Sequence, residues 1–175
     1  MESALRSQLL FTRADYDALP EGLRVELIDG ELLKMAPPTI RHQKIAKRVF
    51  AALVEAVGLD RVFFCPVDVP VNDHNAVQPD VVVVPEGSIP KDAAKGIRRP
   101  LCVVEVLSPS TAGRDRLVKT RLYFSIGAEE VWLLDTDAET AEVRTPDGAR
   151  TFRRTLRSKA IPGFALPLGP VFKRE

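Results

Sequence analysis

A chain of 175 residues, 45% hydrophobic and 28% charged, has the composition of one globular domain. At that length roughly 70% of the unfolded surface can be buried without staples. The formal net charge of +1 excludes a global electrostatic pull toward nucleic acid, so any such binding must come from local basic patches.

In chain order, Thr12 followed by Asp15 predicts a capped short helix in "FTRADYDAL". "RVELIDGELLKMA" reads as a hairpin turning at Asp29-Gly30. The segment from Thr39 to Val57 is the first long helix. Ile45, Val49, Leu53 and Val57 recur every fourth residue, and Gly58 ends it. The prolines of "RVFFCPVDVPV" predict an edge or bulged strand region, and "NDHN", with His74, reads as a turn. "QPDVVVVPE" and "PLCVVEVLS" read as two core strands. "TAGRDRLVKTRLYFSIG" follows as a helix stopped by Gly127, then "EEVWLLD" as a strand, the order of a βαβ unit. An acidic turn carries Asp135 and Asp137. A hairpin then turns at Asp147-Gly148, and the apolar tail "IPGFALPLGPVF" is expected to cover the sheet.

The predicted class is α/β (α+β), a mixed central sheet flanked by helices, with extra hairpins at both ends. One domain spans 1–175, with a core of about 23–135 and a C-terminal hairpin and tail over 141–175. Cys65 and Cys102 both sit in strand-like runs and read as buried free thiols of a reducing compartment. No apolar run approaches 18 residues, and "MESALRSQLLFTRADYD" lacks a signal-peptide core. The expected setting is cytoplasmic, with no membrane partner.

Two acids on the core strands carry the chemistry. Alternation puts Leu101, Val103, Glu105 and Leu107 on one face of their strand and Cys102, Val104 and Val106 on the other. Glu105 therefore points into an otherwise apolar face, where an unpaired carboxylate costs several kcal/mol. Asp80 stands at the lip of the valine strand directly after Pro79. A divalent cation shared by both acids would satisfy them, as would separate ion pairs.

Pro79-Asp80 and Glu105 belong to an ordered set: "VELIDGEL", "RHQKIAKRV", "VQPDVVVV", "VVEVLSPST" and "DRLVKTRLYFSIGAEEVWLLD". This set, from about Leu23 to Asp135, resembles the bacterial "putative restriction endonuclease" family of the PD-(D/E)-x-K nuclease superfamily. The resemblance implies a restriction-endonuclease-like fold and a Mg²⁺- or Mn²⁺-dependent endonuclease acting on DNA. It implies a metal held by Asp80, Glu105 and the backbone carbonyl of Val106. Two cleft sites for two strands imply a homodimer or higher homo-oligomer.

The superfamily's lysine, expected two residues after Glu105, is Leu107 here. Geometry supplies a replacement. Lys119 lies about 9 Å into the second helix, and Glu105 about 7 Å back from the end of its strand. A helix folding back along that strand brings the two level. The resembled family is described in these terms, with the lysine moved onto the helix. Asp115 and Tyr123 lie one turn either side of Lys119.

His42, at the start of the first long helix, is a candidate proton carrier or phosphate contact, and Glu26 a candidate extra metal ligand. Arg98, Arg99, Arg114, Arg153 and Arg154 are candidate phosphate-backbone contacts. Leu107 also keeps open a second reading, a catalytically impaired nuclease fold that binds nucleic acid or a protein partner. A third reading makes the acids structural ion pairs.

Overall fold

Thr12 caps the first helix, α1 (Arg13–Asp17), through the reciprocal bonds its spacing to Asp15 allows. The Thr12 hydroxyl accepts from the Asp15 N–H, and the Asp15 carboxylate accepts from the Thr12 N–H. The structure is a computed structural model that describes residues 10–20, 22–88, 96–108, 113 and 115–174, with backbone alone at 115 and 116. β1 (Val25–Ile28) and β2 (Glu31–Lys34) form the expected hairpin. Asp29 and Gly30 have φ of 49° and 78°, the left-handed pair that a tight two-residue turn requires.

α2 (Ile40–Val57) starts after Thr39, whose hydroxyl accepts from the His42 N–H, and stops at Gly58 with φ 91°. Its fourfold spacing buries Ile45, Val49 and Leu53 along one stripe. "RVFFCPVDVPV" divides into β3 (Val62–Phe64) and β4 (Val69–Asn72), each at the edge of a different sheet. A register shift between Pro70 and Asn72 accompanies the proline, which has no N–H for a ladder.

β5 (Asn75–Val77) is a strand that the reading of the sequence did not assign, since it ended the turn "NDHN" at Asn75 and began the next strand at Gln78. It completes a small antiparallel sheet ordered β2-β1-β5-β4. Gln78 and Pro79 carry the chain out of that sheet into a larger one, where β6 (Val81–Val83) begins. The larger sheet adds β7 (Cys102–Leu107), β8 (Glu130–Asp135), β9 (Thr140–Thr145) and β10 (Gly148–Phe152). Its order is β10-β9-β8-β7-β6-β3. β7 and β8 are parallel, as the βαβ reading requires, and the other pairs are antiparallel.

The connection between β7 and β8 corrects the expected regular helix. A π-helical turn, Asp115–Lys119, precedes the short α3 (Thr120–Ser125), and Gly127 with φ 89° follows its end. Such turns recur at functional sites. After β10 come β11 (Thr155–Arg157), β12 (Ala165–Pro167) and α4 (Leu168–Phe172).

Alternation splits the core. Val81, Val83, Cys102, Val104, Val106, Trp132 and Leu134 face α2 and the tail, whose Phe164, Leu166, Leu168 and Phe172 are buried there. Val82, Val103, Leu107, Val131 and Leu133 face α3, Ile28 and Val69. The tail thus covers the sheet as expected. Leu101 does not share the Glu105 face: β7 starts only at Cys102, and Leu101 packs on the α2 side. Both cysteines are free, but Cys65 is only half-buried. No helix among the described residues is long and apolar enough to cross a membrane.

Candidate active site

Register brings the two acids together. β6 runs antiparallel to β7 with Val81 opposite Val104, so one further step sets Asp80 beside Glu105. Asp80 Oδ2 accepts a 2.7 Å hydrogen bond from the Val106 N–H and lies 3.2 Å from His42 Nε2. His42 reaches it from the first turn of α2.

Glu105 is 4% exposed and does meet a positive charge. The Lys119 ammonium, 2% exposed, lies 2.6 Å from Glu105 Oε1 and 2.9 Å from Glu26 Oε1. The lysine that sequence geometry brought level with Glu105 is therefore in contact with it. Leu107, at the usual lysine position, is buried among Val103, Tyr123 and Leu133. An ammonium there would sit in apolar surroundings, where desolvation disfavours its charge. Tyr123, one turn beyond Lys119, donates its hydroxyl to Glu105 Oε1 at 2.5 Å. Burial, then the Glu105 charge, pushes the Tyr123 phenol well above its ordinary pKa. It therefore acts as a fixed donor.

Glu26 is held by a residue that reading of the sequence passed over. The Gln78 N–H donates to Glu26 Oε1 at 2.8 Å, while the Gln78 side-chain amide donates to Asp68 Oδ1 at 2.9 Å. The Tyr16 hydroxyl donates to the same Asp68 oxygen at 3.0 Å. The one signal was position: Gln78 directly precedes Pro79-Asp80, where the chain changes sheets.

Glu26, His42, Asp80, Glu105, Val106 and Lys119 line one cleft of about 400 Å³ between the β1–β2 hairpin and the start of α2. Cys65 also lies on it, its thiol pushed up to about 11 by burial and then by the Asp80 carboxylate. Other expected residues lie elsewhere. Arg98 lines a separate hollow with Arg13 and Asp17, and Arg99 is exposed one residue on. Arg153 and Arg154 are exposed just past Phe152, which pairs with Ala141 at the Asp135 end of the sheet. Arg114 and the side chain of Asp115 lie outside the described residues. His74 serves its turn, its Nδ1 lying 2.9 Å from the Phe11 carbonyl, and Asp135 caps the turn that follows β8.

A family model, Uma2, described as "Putative restriction endonuclease", matches residues 13–169. The chain belongs to the Uma2 family. The crystal structure titled "a putative nuclease belonging to DUF820", from Anabaena variabilis ATCC 29413, superposes with a TM-score of 0.80. It is 21% identical and covers 93% of this chain and 97% of its own, which establishes the shared fold. A sequence search of curated proteins finds no match. Family and fold together make this Uma2 chain nuclease-like, with the mixed sheet and flanking helices expected of it.

The donor set of this Uma2 cleft fits a hard divalent cation. Glu26, Asp80 and Glu105 bring three carboxylates to one cleft, and Lys119 is the cation in contact with two of them. Oxygen donors in this number suit Mg²⁺ or Mn²⁺, and Mg²⁺ is held by one or two carboxylates while keeping several waters. Among the described residues no three His, Cys, Asp or Glu side chains are grouped so as to hold a metal ion by themselves.

Proposed function

We propose that this protein is a Mg²⁺- or Mn²⁺-dependent endonuclease that hydrolyses DNA phosphodiester bonds in the Asp80–Glu105 cleft. The observation that carries the reading is the contact of Lys119 with Glu105, 2.6 Å apart, beside Asp80 on the neighbouring strand. Asp80, Glu105 and the Val106 carbonyl would hold the metal. When bound, such an ion supplies Lewis-acid polarisation of a phosphate and a water of lowered pKa.

The remaining steps belong to the chain. Lys119 is buried between two carboxylates, so its ammonium is fixed before substrate arrives. It offers a preorganised positive charge to the oxygens on which negative charge builds as phosphorus becomes five-coordinate. Tyr123 donates to the same Glu105 oxygen that Lys119 contacts. Glu26, itself fixed by the Gln78 N–H, sets the second contact of Lys119. His42 Nε2, beside Asp80 in the lining of the cleft, would carry a proton between the reacting oxygens and solvent. Arg153 and Arg154, at the same end of the sheet, would contact flanking phosphates. A homodimer would carry two such clefts. The setting is cytoplasmic, where Cys65 and Cys102 stay reduced.

The test is a cleavage panel of supercoiled plasmid, linear duplex, single strand and branched DNA in Mg²⁺ and Mn²⁺. Wild type runs beside Asp80→Ala and Lys119→Ala. Cutting by wild type that is lost in both variants supports the assignment. Equal cutting by Asp80→Ala overturns it. Metal-independent DNA binding without cutting would favour the binding module that Leu107 keeps open.

A further inference from the structure

The walls of the cleft differ from its floor, and the difference bears on the state of the nucleic acid that enters. Glu26, Glu105 and Lys119 lie at the bottom and are at most 5% exposed. The same cleft is also lined by the apolar side chains Leu33, Met35, Pro38 and Phe64, the first and last packed on the two different core clusters. Arg24 stands at the rim, two residues before Glu26 and on the same side of the hairpin, where the Met35 N–H bonds the Arg24 carbonyl and extends the β1–β2 ladder. A phosphate that reaches Lys119 enters a cleft that carries this apolar wall in its lining.

A paired duplex has no use for such a wall. Its bases are stacked inside and show in the grooves only their edges, polar apart from the thymine methyl, and its outer surface is sugar and charged phosphate. An unpaired nucleotide presents an apolar ring face beside each phosphate, and apolar or aromatic side chains take that face regardless of sequence. A cleft of about 400 Å³ is at the small end of pockets that enclose one compact ligand. That suits one nucleotide and its phosphate rather than the width of a duplex.

Resting on the nuclease reading above, we propose that the cleft takes an unpaired nucleotide. Its base lies against Met35, Pro38 and Phe64, its phosphate lies over Asp80, Glu105 and Lys119, and the neighbouring phosphate lies on Arg24. The substrate class is single-stranded or locally opened DNA: strands, flaps, bubbles and frayed ends. Intact duplex is a poor ligand for the site.

Fluorescence anisotropy in EDTA tests this, because no divalent ion is then present to support cutting. The probes are a labelled oligothymidylate and a blunt duplex of the same length. The expected result is at least about tenfold tighter binding of the single strand. Met35→Glu, which puts a repelling charge on the partly exposed wall, should remove that preference while the protein stays folded by circular dichroism. Arg24→Ala should weaken binding and lower the slope of log affinity against log salt by about one. Duplex binding as tight as single-strand binding overturns the proposal, as does a preference untouched by Met35→Glu or no binding of either probe. Cutting of intact duplex, as fast as of single strands and lost in Asp80→Ala, would overturn this inference while leaving the nuclease reading standing. Loss of both cutting and binding on every DNA would take the nuclease reading down with it.

Discussion

Two neighbouring strands each bury a glutamate, and the two are treated in opposite ways. Glu130, at the start of β8, is 2% exposed, no more than Glu105 near the end of β7. Its Oε2 accepts from the Trp132 indole N–H at 2.8 Å and the Ser158 hydroxyl at 2.7 Å. Its Oε1 accepts from the backbone N–H groups of Lys159 and Ala160. Neutral donors fixed by the fold thus saturate both oxygens, and the carboxylate pins the C-terminal tail to the sheet. Glu105 instead meets an ammonium that it shares with Glu26, and it lines an open cleft. A buried acid wrapped by backbone donors is an element of structure. One left facing a lysine, a second carboxylate and a cleft is available for chemistry. The lesson is that burial alone does not separate the two; the nature of the partners does.

The largest expected effect separates the two acids by activity. Glu105→Gln should lower metal-dependent cutting by about a thousandfold in steady-state assays, with stability changed by no more than about 1 kcal/mol. Lys119 keeps Glu26 in that variant. Lys119→Met should lower cutting by about a hundredfold or more, and it should also destabilise, because two buried carboxylates lose their shared cation. A fully active, fully stable Lys119→Met protein would break the comparison at its centre.

Glu130→Ala should show the reverse pattern. It strands an indole N–H, a hydroxyl and backbone donors, so urea unfolding should report a loss of about 3 kcal/mol. Cutting per folded molecule should stay at the wild-type rate. If Glu130→Ala were stable, the structural role of that acid would fail. Tyr123→Phe is milder. It removes one buried bond to a charged acceptor, and denaturation should show a loss of about 2 kcal/mol.

The smallest effect concerns Cys65, on the wall of the same cleft. Its thiol is pushed up to about 11, so thiolate is scarce at neutral pH. Alkylation of native protein should rise about tenfold per pH unit from pH 8 toward 10. The sign for stability follows: the folded pKa lies above the unfolded one, so this group's contribution is complete below the unfolded pKa and fades as pH rises through about 11. Labelling that levels off near pH 9 would show an ordinary thiol.

Much of this contrast was legible in the sequence, and some was not. Lys119 could be placed because strand and helix rises are fixed, so two short segments meeting at a turn set a distance. The π turn at Asp115–Lys119 did not spoil that estimate, since only a short stretch of helix is involved. The Glu26 contact with Lys119 was not legible. It depends on how the small sheet docks on the large one, a tertiary fact set by the crossing at Gln78-Pro79. Glu130 was missed because an acid opening "EEVWLLD" reads as a solvated strand end. Its donors, Ser158 and the backbone at Lys159, come from a distant turn. β5 went unseen because three residues before a proline have no pattern of their own.

The most direct measurement is a calorimetric titration of Mn²⁺ into wild type, Asp80→Ala and Glu130→Gln. The account predicts binding to wild type and to Glu130→Gln alike, and its loss in Asp80→Ala. No binding to wild type, or binding that survives in Asp80→Ala, would contradict the assignment of the Asp80–Glu105 cleft as the metal-dependent site.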